Sequence, residues 1–368
     1  MRILIAINQA RVLYDFKREL VSALLERGDD VYLSFEEDFR AEYFEATNAK
    51  IVATPIDPRG VNPVRDFALY AFYKRLLRKL RPDVVLTFTI KPNVYCGKAC
   101  QRAKIPYLAT ISGLGAAVNA KGLLGRVSSQ LYRVGLVGAR RVFCQNQSIA
   151  NKVVNDRFAR AEQIVRVAGS GVDVESFSYL DYPGPDAPIE LLFIGRLMRD
   201  KGVAEFIDCA RVVRSRRPDV KFRILGAPER RCPEYGQVVA AAKEGVVEYL
   251  GYQLDVVPYI ATSSAIVLPS YHEGLSNVLL EGAASGRPLL ASNAPGCAET
   301  FDDGVTGFGF EPRNADSLID AVWRFLELSH EERKEAGRRG REKIVANFDR
   351  RNVVRAYLEE IDKVKSKN

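Results

Sequence analysis

The feature that most constrains the fold is a repeated alternation of short apolar runs with longer amphipathic stretches. Runs that are apolar throughout are typical of parallel strands, which are buried on both faces of their sheet. Six lie in the first half and five in the second: RILIAI, DVYLSF, KIVATPI, DVVLTFT, IPYLATIS and RVFCQN, then IELLFIGRL, VKFRILG, VEYLG, SSAIVLPS and RPLLASN. Strands that alternate with helices predict βαβ units, so we expect an α/β protein with two doubly wound Rossmann-like domains.

The length and the position of the restart predict the domain boundaries. A chain of 368 residues is too long for one ordinary core and suits two domains. We expect a first domain over residues 1–170, a second over 171–348, and a final helix over 349–368 that packs back on the first domain. The Pro- and Gly-rich stretch 179–188, YLDYPGPDAP, has the composition of a linker.

The composition excludes several classes of protein. With 47% apolar and 27% charged residues, the chain is typical of a globular protein rather than a disordered one. No apolar run approaches the roughly 20 residues of a membrane-spanning helix, and MRILIAINQA reads as a buried strand rather than a signal peptide. The six cysteines form no C-x-x-C motif, which favours reduced thiols in a cytoplasmic protein over disulfides or a zinc site.

Positive charge is concentrated in the first domain. Residues 1–170 hold 27 basic and 15 acidic side chains, whereas the remainder holds 27 and 31. No acidic residue occurs between Asp83 and Asp156, although ten Lys or Arg do. Such a surface is either simply solvated or meets anionic lipid headgroups or a phosphorylated substrate. Nucleic acid is not an expected partner, because the chain contains no recognised nucleic-acid-binding module.

A glycine and two cations follow the predicted strand IELLFI. Gly195 allows close approach to the backbone, and Arg196 and Lys201 lie in the loop before a helix, where they suit a bound diphosphate. The alternative is two surface cations near a helix start. The helix dipole makes that position mildly unfavourable for positive charge, which favours a functional reason.

A second candidate segment is YHEGLSNVLLEG, which follows the predicted strand SSAIVLPS. Ser276 or Asn277 is expected to cap a helix that runs to about residue 285. Glu273 and Glu281 are then about 10–12 Å apart along the chain, while hydrolytic carboxylates face one bond at about 5–10 Å and usually come from different elements. The two glutamates therefore suit two parts of one elongated ligand, and His272 is not expected to bind a metal.

Together, GRLMRDKG, VLPSYHEGLSNVLLEGAASGRPLLASNAPGCAET and DGVTGF resemble the retaining glycosyltransferases of family 4. The resemblance extends over nearly the whole chain and is strongest over 189–311. It implies the GT-B fold, in which two Rossmann-like domains face a cleft, with the acceptor bound by the first domain and the nucleotide-sugar by the second. It also implies that no cofactor or metal is needed, since the nucleotide-sugar is itself a substrate.

The resemblance assigns roles to residues of both motifs. It implies that Arg196 and Lys201 bind the diphosphate and stabilise it as the leaving group, while Glu273 holds hydroxyls of the transferred sugar. Glu281 would hold the ribose, and Glu299 matches a further family glutamate. The expected donor-binding residues are Gly195, Gly274, Leu275, Ser276 and Glu281. Two fixed cations stabilise charge that builds on the leaving phosphate, which fits same-face attack without a histidine or cysteine nucleophile.

The first half departs from the family pattern. In DVVLTFTIKPN, Leu86 and Phe88 occupy two positions where many members have histidine, whereas Lys91 is retained. This variant resembles enzymes that build bacterial capsule, O-antigen or lipid-linked oligosaccharides. Asn8 and Gln9, at the end of the first strand, either line the acceptor side with Lys91 or simply cap the strand.

Two segments of the first domain mix apolar and basic residues. Residues 70–82, YAFYKRLLRKLRP, and 121–141, KGLLGRVSSQLYRVGLVGARR, are either ordinary amphipathic helices packed on a sheet or helices at a membrane surface. The acid-free stretch around the second segment favours an anionic membrane surface as a partner.

The sequence thus predicts a hexosyl- or N-acetylhexosaminyltransferase that moves a sugar from a nucleotide-sugar, expected to be a UDP-sugar, to a polyprenyl-diphosphate-linked saccharide. It would act in bacterial surface polysaccharide or glycan assembly, in the cytoplasm and peripherally associated with the inner face of the membrane. A GT-B-fold UDP-sugar epimerase is the alternative, disfavoured because neither histidine lies in the first half. The complete set of candidate donor residues disfavours a catalytically silent binding subunit.

Overall fold

A computed structural model describes residues 1–58, 60, 62–113, 122–229 and 232–365. Contacts divide the chain into two units, one of residues 1–170 and 351–368, and one of residues 171–350. Each unit contains one parallel sheet with helices on both faces.

The described residues of the first unit form seven strands: β1 (Arg2–Gln9), β2 (Asp30–Glu36), β3 (Lys50–Ala53), β4 (Val84–Phe88), β5 (Tyr107–Ile111), β6 (Arg141–Cys144) and β7 (Ile164–Arg166). Its helices in the first 170 residues are α1 (Ala10–Glu26), α2 (Ala41–Glu45), α3 (Pro63–Leu80), α4 (Gly97–Ala103), α5 (Leu123–Leu136) and α6 (Gln147–Asn155). A π-helical turn, Pro92–Cys96, leads into α4. The strand order is β3-β2-β1-β4-β5-β6-β7.

In the part of the second unit that the structure describes there are six strands: β8 (Glu190–Ile194), β9 (Lys221–Leu225), β10 (Glu248–Tyr249), β11 (Ala265–Leu268), β12 (Leu289–Ser292) and β13 (Gly307–Phe310). Its helices are α7 (Val203–Arg216), α8 (Glu234–Lys243), α9 (Val257–Thr262), α10 (Asn277–Ala284), α11 (Ala315–Glu327) and α12 (His330–Phe348). The strand order is β10-β9-β8-β11-β12-β13. The last helix, α13 (Arg350–Lys365), belongs to the first unit from residue 351 onward.

The continuous apolar runs are explained by cores on both faces of each strand. In β1, Ile3 and Ile5 pack with α1 on one face, while Leu4 and Ala6 pack with α3, α4 and α5 on the other. All four are fully buried. The prediction of two doubly wound α/β domains is confirmed.

The helix α13 completes one face of the first sheet. Tyr357 stacks on Phe143 with ring centroids 4.2 Å apart, and its hydroxyl lies 2.8 Å from Thr110 Oγ1. Phe88, at the position of a family histidine, also contacts Tyr357, with centroids 5.8 Å apart. Phe88 is 3% exposed, so this side chain belongs to the core of the first unit.

Three details differ from the predicted pattern. The run VEYLG forms only the two-residue strand β10, and the short strands β7 and β13 were not predicted. The strands β7 and β13 lie at sheet edges, and β13 (GFGF) lacks the β-branched residues that mark buried strands. The linker-like stretch 179–188 lies inside the second unit, where the buried Arg287 donates to the carbonyl oxygens of Leu180 and Asp181.

The cysteines have the environment expected from their spacing. All six are free, and five of them are buried, with Cys232 partly exposed. Burial raises the pKa of the Cys144 thiol to about 12 and also raises those of Cys96, Cys209 and Cys297. These thiols are therefore inert core groups.

Candidate active site

Two loops meet at the switch point of the second sheet. The chain runs outwards from β8 to β10 and then returns to β11, which pairs with β8. Ligands of doubly wound sheets bind beyond the carboxyl ends of the strands at such a point. The loop after β8 carries Arg196 and Lys201, and the loop after β11 carries Glu273. The fold therefore brings the two sequence motifs to the same edge of one sheet.

A short 3₁₀ turn presents Lys201 at the start of α7. The next residue, Gly202, has a φ of +71°, and a Cβ there would lie 2.1 Å from the carbonyl oxygen of Pro269. The amide of Tyr271 donates to the carbonyl oxygen of Asp200 at 2.9 Å. The turn is thus held against the loop after β11 by backbone contacts, and it requires glycine at residue 202.

Lys201 and Glu273 form an ion pair. The ammonium group contacts Oε1 of the carboxylate, and Ser270 Oγ donates to the same oxygen at 2.7 Å. Only 20% of the lysine side chain and 14% of the glutamate side chain are exposed. Hydrogen bonds to an ionised, partly buried group are strong, so the carboxylate has a defined orientation.

Arg196 has a different partner. Its guanidinium Nη1 lies 2.6 Å from Oε2 of Glu229, and 59% of the arginine side chain is exposed. Glu229 follows β9, the strand on the other side of β8. The amide of Gly195 donates to the carbonyl oxygen of Leu225 at 2.9 Å and continues the pairing of β8 with β9. The structure therefore joins Lys201 to Glu273, and it places Arg196 in a separate, exposed pair.

The loop that carries Glu273 is held by the segment after β12. The amide of Glu273 donates to Pro295 O at 3.0 Å, and the amide of Ser276 donates to Gly296 O at 2.8 Å. Gly296 has a φ of +81°, and its own amide donates to Oε2 of Glu299 at 2.7 Å. Glu299 therefore acts here on the backbone that supports the Glu273 loop.

The remaining residues predicted for donor binding lie at the start of α10 and in the loop before it. Ser276 caps α10 through its hydroxyl, which accepts from the amide of Leu279, so the predicted helix start is confirmed. The Ser276 amide itself is engaged by Gly296, so it supports the loop instead of facing a ligand as expected. Leu275 is buried, Gly274 and Glu281 are partly exposed, and His272 is exposed.

Sequence reasoning missed several polar residues around this site. Ser270 contacts Glu273, Glu229 pairs with Arg196, and the hydroxyl of Tyr271 donates to Oε1 of Glu205 at 2.6 Å. Burial, together with the Glu205 carboxylate, raises the pKa of Tyr271 to about 12. Ser270, Tyr271 and Glu229 each follow a strand within a few residues, which is the signal that would have pointed to them.

The residues predicted for the acceptor side, Asn8, Gln9 and Lys91, lie at the corresponding edge of the first sheet. Oδ1 of Asn8 is buried and has no hydrogen-bond partner among the residues described. Gln9 Nε2 donates to Glu36 Oε2 at 3.4 Å, and Lys91 Nζ lies 2.6 Å from Asp66 Oδ1. Asp66 also accepts from the Tyr95 hydroxyl at 2.9 Å.

The backbone after β4 has an unusual conformation. Thr89 has a φ of +65°, which is rare for a β-branched residue, and the π-helical turn follows three residues later. Thr87 Oγ1 donates to Asn93 Oδ1 at 2.7 Å, and Asn93 Nδ2 donates to Thr110 O at 2.8 Å. Strained residues and π-helical turns are enriched at functional sites, which marks this strand end as a second candidate region.

The described residues contain neither a metal-binding cluster nor a membrane-spanning helix. Within them, no group of three or more His, Cys, Asp or Glu side chains is arranged to hold a metal ion. No helix in the same ranges is both long and apolar enough to cross a bilayer.

Two family models match the chain in succession. The model Glycosyltransferase Family 4 matches residues 16–176, and the model Glycosyl transferases group 1 matches residues 188–328. The chain belongs to glycosyltransferase family 4. As a glycosyltransferase, it has the GT-B architecture of two doubly wound domains, and the family resemblance of its motifs is confirmed.

Curated relatives are similar over most of this glycosyltransferase. The N,N'-diacetylbacillosaminyl-diphospho-undecaprenol alpha-1,3-N-acetylgalactosaminyltransferase of Campylobacter jejuni is 24% identical over 344 residues, covering 89% of this chain and 90% of the relative. The capsular polysaccharide biosynthesis glycosyltransferase CapM of Staphylococcus aureus is 22% identical, covering 77% and 79%.

Solved structures share the fold over the full length. A glycosyltransferase from Rickettsia africae aligns with a TM-score of 0.81 at 16% identity, over 100% of this chain and 99% of that one. Anabaena HepE in complex with UDP and glucose aligns with a TM-score of 0.79 at 18% identity, over 98% and 99%. At these identities the likeness is one of fold.

Proposed function

We propose that this glycosyltransferase moves a hexosyl or N-acetylhexosaminyl group from a UDP-sugar, with retention, to a polyprenyl-diphosphate-linked saccharide in bacterial surface polysaccharide assembly. The observation that carries the proposal is the Lys201–Glu273 pair at the switch point of the second sheet. It joins a cation suited to a phosphate and a carboxylate suited to sugar hydroxyls at the edge where such folds bind ligands.

The donor chemistry follows from these charges. As the anomeric bond breaks, negative charge builds on the β-phosphate, and the ammonium of Lys201 stabilises it more in the transition state than in the ground state. Arg196 adds a second cation once it exchanges Glu229 for the diphosphate. Glu273 holds the sugar hydroxyls and Glu281 the ribose. Two protein cations on the leaving group support transfer without a bound metal.

Retention follows from attack on the face from which the diphosphate leaves. The acceptor hydroxyl bonds to the anomeric carbon, its proton passes to the departing phosphate oxygen, and the bond between sugar and phosphate breaks. This step needs two orienting groups and a leaving-group clamp, and it uses no enzyme nucleophile.

The acceptor assignment rests on relatives and on charge. A relative that is similar over 90% of its length is named for an undecaprenol-linked acceptor, and another for capsular polysaccharide biosynthesis. Lys91, near the strained Thr89, and the buried oxygen of Asn8 offer polar groups on the acceptor side. The basic first unit fits a diphosphate-linked lipid.

The location that matches this acceptor is the inner face of the membrane, to which the enzyme attaches peripherally from the cytoplasm. The helices α3, α4 and α5 share one core on the same face of the first sheet, so their inner sides are packed as ordinary amphipathic helices. On the outside, Val64 and Phe67, in the first two turns of α3, are 78% and 72% exposed, and later turns of the same helix carry Arg75 and Arg78. Exposed apolar groups beside cations favour binding to an anionic bilayer. Residues 114–121, which include Lys121, lie outside the described ranges.

The decisive experiment incubates the enzyme with UDP-sugars and a synthetic polyprenyl-diphosphate sugar. Mass spectrometry should show one added sugar, and NMR should show that the anomeric configuration of the donor is kept. An inverted linkage would contradict the proposed mechanism. Interconversion of the UDP-sugar without acceptor would support an epimerase, and UDP-sugar binding without turnover would support a silent subunit.

A further inference from the structure

Ser270 contacts the candidate sugar-binding carboxylate from inside the protein. Its hydroxyl donates to Glu273 Oε1 at 2.7 Å, and the residue has no exposed surface. The ammonium group of Lys201 donates to the same oxygen. One carboxylate oxygen is therefore shared by a buried hydroxyl and a partly exposed cation.

The position of Ser270 is itself fixed. It follows β11 by two residues, and its carbonyl oxygen accepts a hydrogen bond from the hydroxyl of Ser292 at the end of β12. Ser292 is equally buried. Two neighbouring strand ends thus hold the serine, so its hydroxyl can set the direction of the Glu273 side chain.

The backbone of the loop does not depend on the Ser270 hydroxyl. Three amide hydrogen bonds already hold it: Tyr271 to Asp200, Glu273 to Pro295, and Ser276 to Gly296. The hydroxyl acts on the carboxylate rather than on the course of the chain. The role of the Ser270 hydroxyl is therefore to position the carboxylate, and the fold of the loop does not require it.

The shared oxygen has a consequence when a donor binds. If Lys201 turns towards the diphosphate, the carboxylate loses its cation but keeps the hydrogen bond from Ser270. We propose that Ser270 is a positioning residue that holds Glu273 towards the sugar hydroxyls while Lys201 stabilises the departing diphosphate. This inference rests on the proposed donor roles of Lys201 and Glu273.

The test compares Ser270→Ala with Ser263→Ala, a matched variant that removes an equally buried hydroxyl of the same unit, one that donates to the carbonyl oxygen of Tyr259. A lost hydrogen bond to a charged group predicts that S270A lowers kcat by about tenfold or more. The Kd for UDP, which lacks the sugar, should stay within about twofold of the wild-type value. S263A should keep kcat within about threefold. Equal losses of kcat in both variants, or a large loss of UDP binding in S270A, would overturn the inference.

A double-mutant cycle with Glu273→Ala separates this inference from the proposed function. When the carboxylate is absent, removal of the Ser270 hydroxyl should have almost no further effect on kcat. Additive losses would show that Ser270 acts elsewhere and would overturn the positioning role alone. A wild-type rate in E273A would instead reject the proposed role of Glu273, and the inference would fall with it.

Discussion

At the scale of single residues, Lys201 and Glu273 meet although they are 72 positions apart in the chain. Each satisfies the other's charge, and because both side chains stay partly exposed and Glu273 also accepts from Ser270, the cost of an unpaired ion here is modest. Under the proposed function, a bound diphosphate offers Lys201 a stronger anionic partner, and the sugar hydroxyls offer Glu273 new donors. The pair therefore holds both groups ready in the absence of a donor.

Replacement of Lys201 should affect rate far more than stability. We expect Lys201→Ala to lower kcat by about 10²-fold, because a fixed donor on the leaving group is lost. The exposed Arg196→Ala should also lower kcat. Arg211→Ala, which removes an exposed cation paired with Glu244 on the same unit, is the control and should leave kcat unchanged. Steady-state kinetics and thermal denaturation of the three variants check this, and wild-type turnover in K201A and R196A would reject the diphosphate role.

The two glutamates of the motif should separate sugar handling from nucleotide binding. Glu273→Ala should reduce kcat/KM for the UDP-sugar by about 10²-fold and leave the Kd for UDP nearly unchanged, because UDP carries no transferred sugar. Glu281→Ala should weaken UDP binding by about tenfold through a lost hydrogen bond to the ribose. Calorimetric titration with UDP measures both, and equal losses of UDP affinity would contradict the division of roles.

At the scale of elements, the turn before α7 depends on a glycine that no side chain can replace. Gly202 has a left-handed backbone conformation, and the Pro269 carbonyl occupies the space that a Cβ would need. Gly245, after α8, has nearly the same φ of +72° but has nothing within 4 Å of its Cβ position. The two glycines therefore share one backbone requirement and differ in one steric contact.

This pair allows strain and clash to be measured separately. Gly245→Ala should lower the free energy of unfolding by about 1–2 kcal/mol, the cost of a left-handed L-residue, and keep full activity. Gly202→Ala should cost clearly more and reduce kcat, because relief of the clash moves Lys201 away from Glu273. Urea denaturation and kinetics of both variants test this. Equal stability and equal activity would mean that the contact with Pro269 is unimportant.

Much of this element-level organisation was predictable. The alternating apolar runs predicted eleven of the thirteen described strands, and Ser276 was correctly named as a candidate cap for α10. Both signals are local, because burial on two faces and capping each depend on a few adjacent residues. The linker-like residues 179–188 were harder to predict, because the side chain of Arg287, about a hundred positions later, binds their carbonyl groups.

At the scale of the whole molecule, charge is divided unequally between the units. The excess of basic residues in the first 170 positions and the exposed apolar side chains of α3 are the two features that a membrane surface recognises. Each Lys or Arg near an anionic bilayer contributes about 1 kcal/mol to binding, and salt screens this contribution.

We therefore expect the enzyme to sediment with phosphatidylglycerol vesicles and not with phosphatidylcholine vesicles, and to be released by about 0.5 M salt. Reversal of two exposed charges on α3, in Arg75→Glu/Arg78→Glu, should weaken vesicle binding by at least about tenfold. The control Arg211→Glu/Lys243→Glu changes the net charge equally on the second unit and should bind nearly as the wild type does. Equal effects would show that only net charge matters.

The sequence by itself determined the fold class, the family and the two loops that carry the candidate site, because periodicity and motif spacing are properties of neighbouring residues. Only the tertiary structure decided which charges pair. Glu273 contacts Lys201 and Ser270, and Arg196 contacts Glu229, because the parallel pairing of strands around β8 brings their carboxyl ends to one edge of the sheet. The sequence alone did not show these pairs because strand order, and not distance along the chain, decides which residues meet.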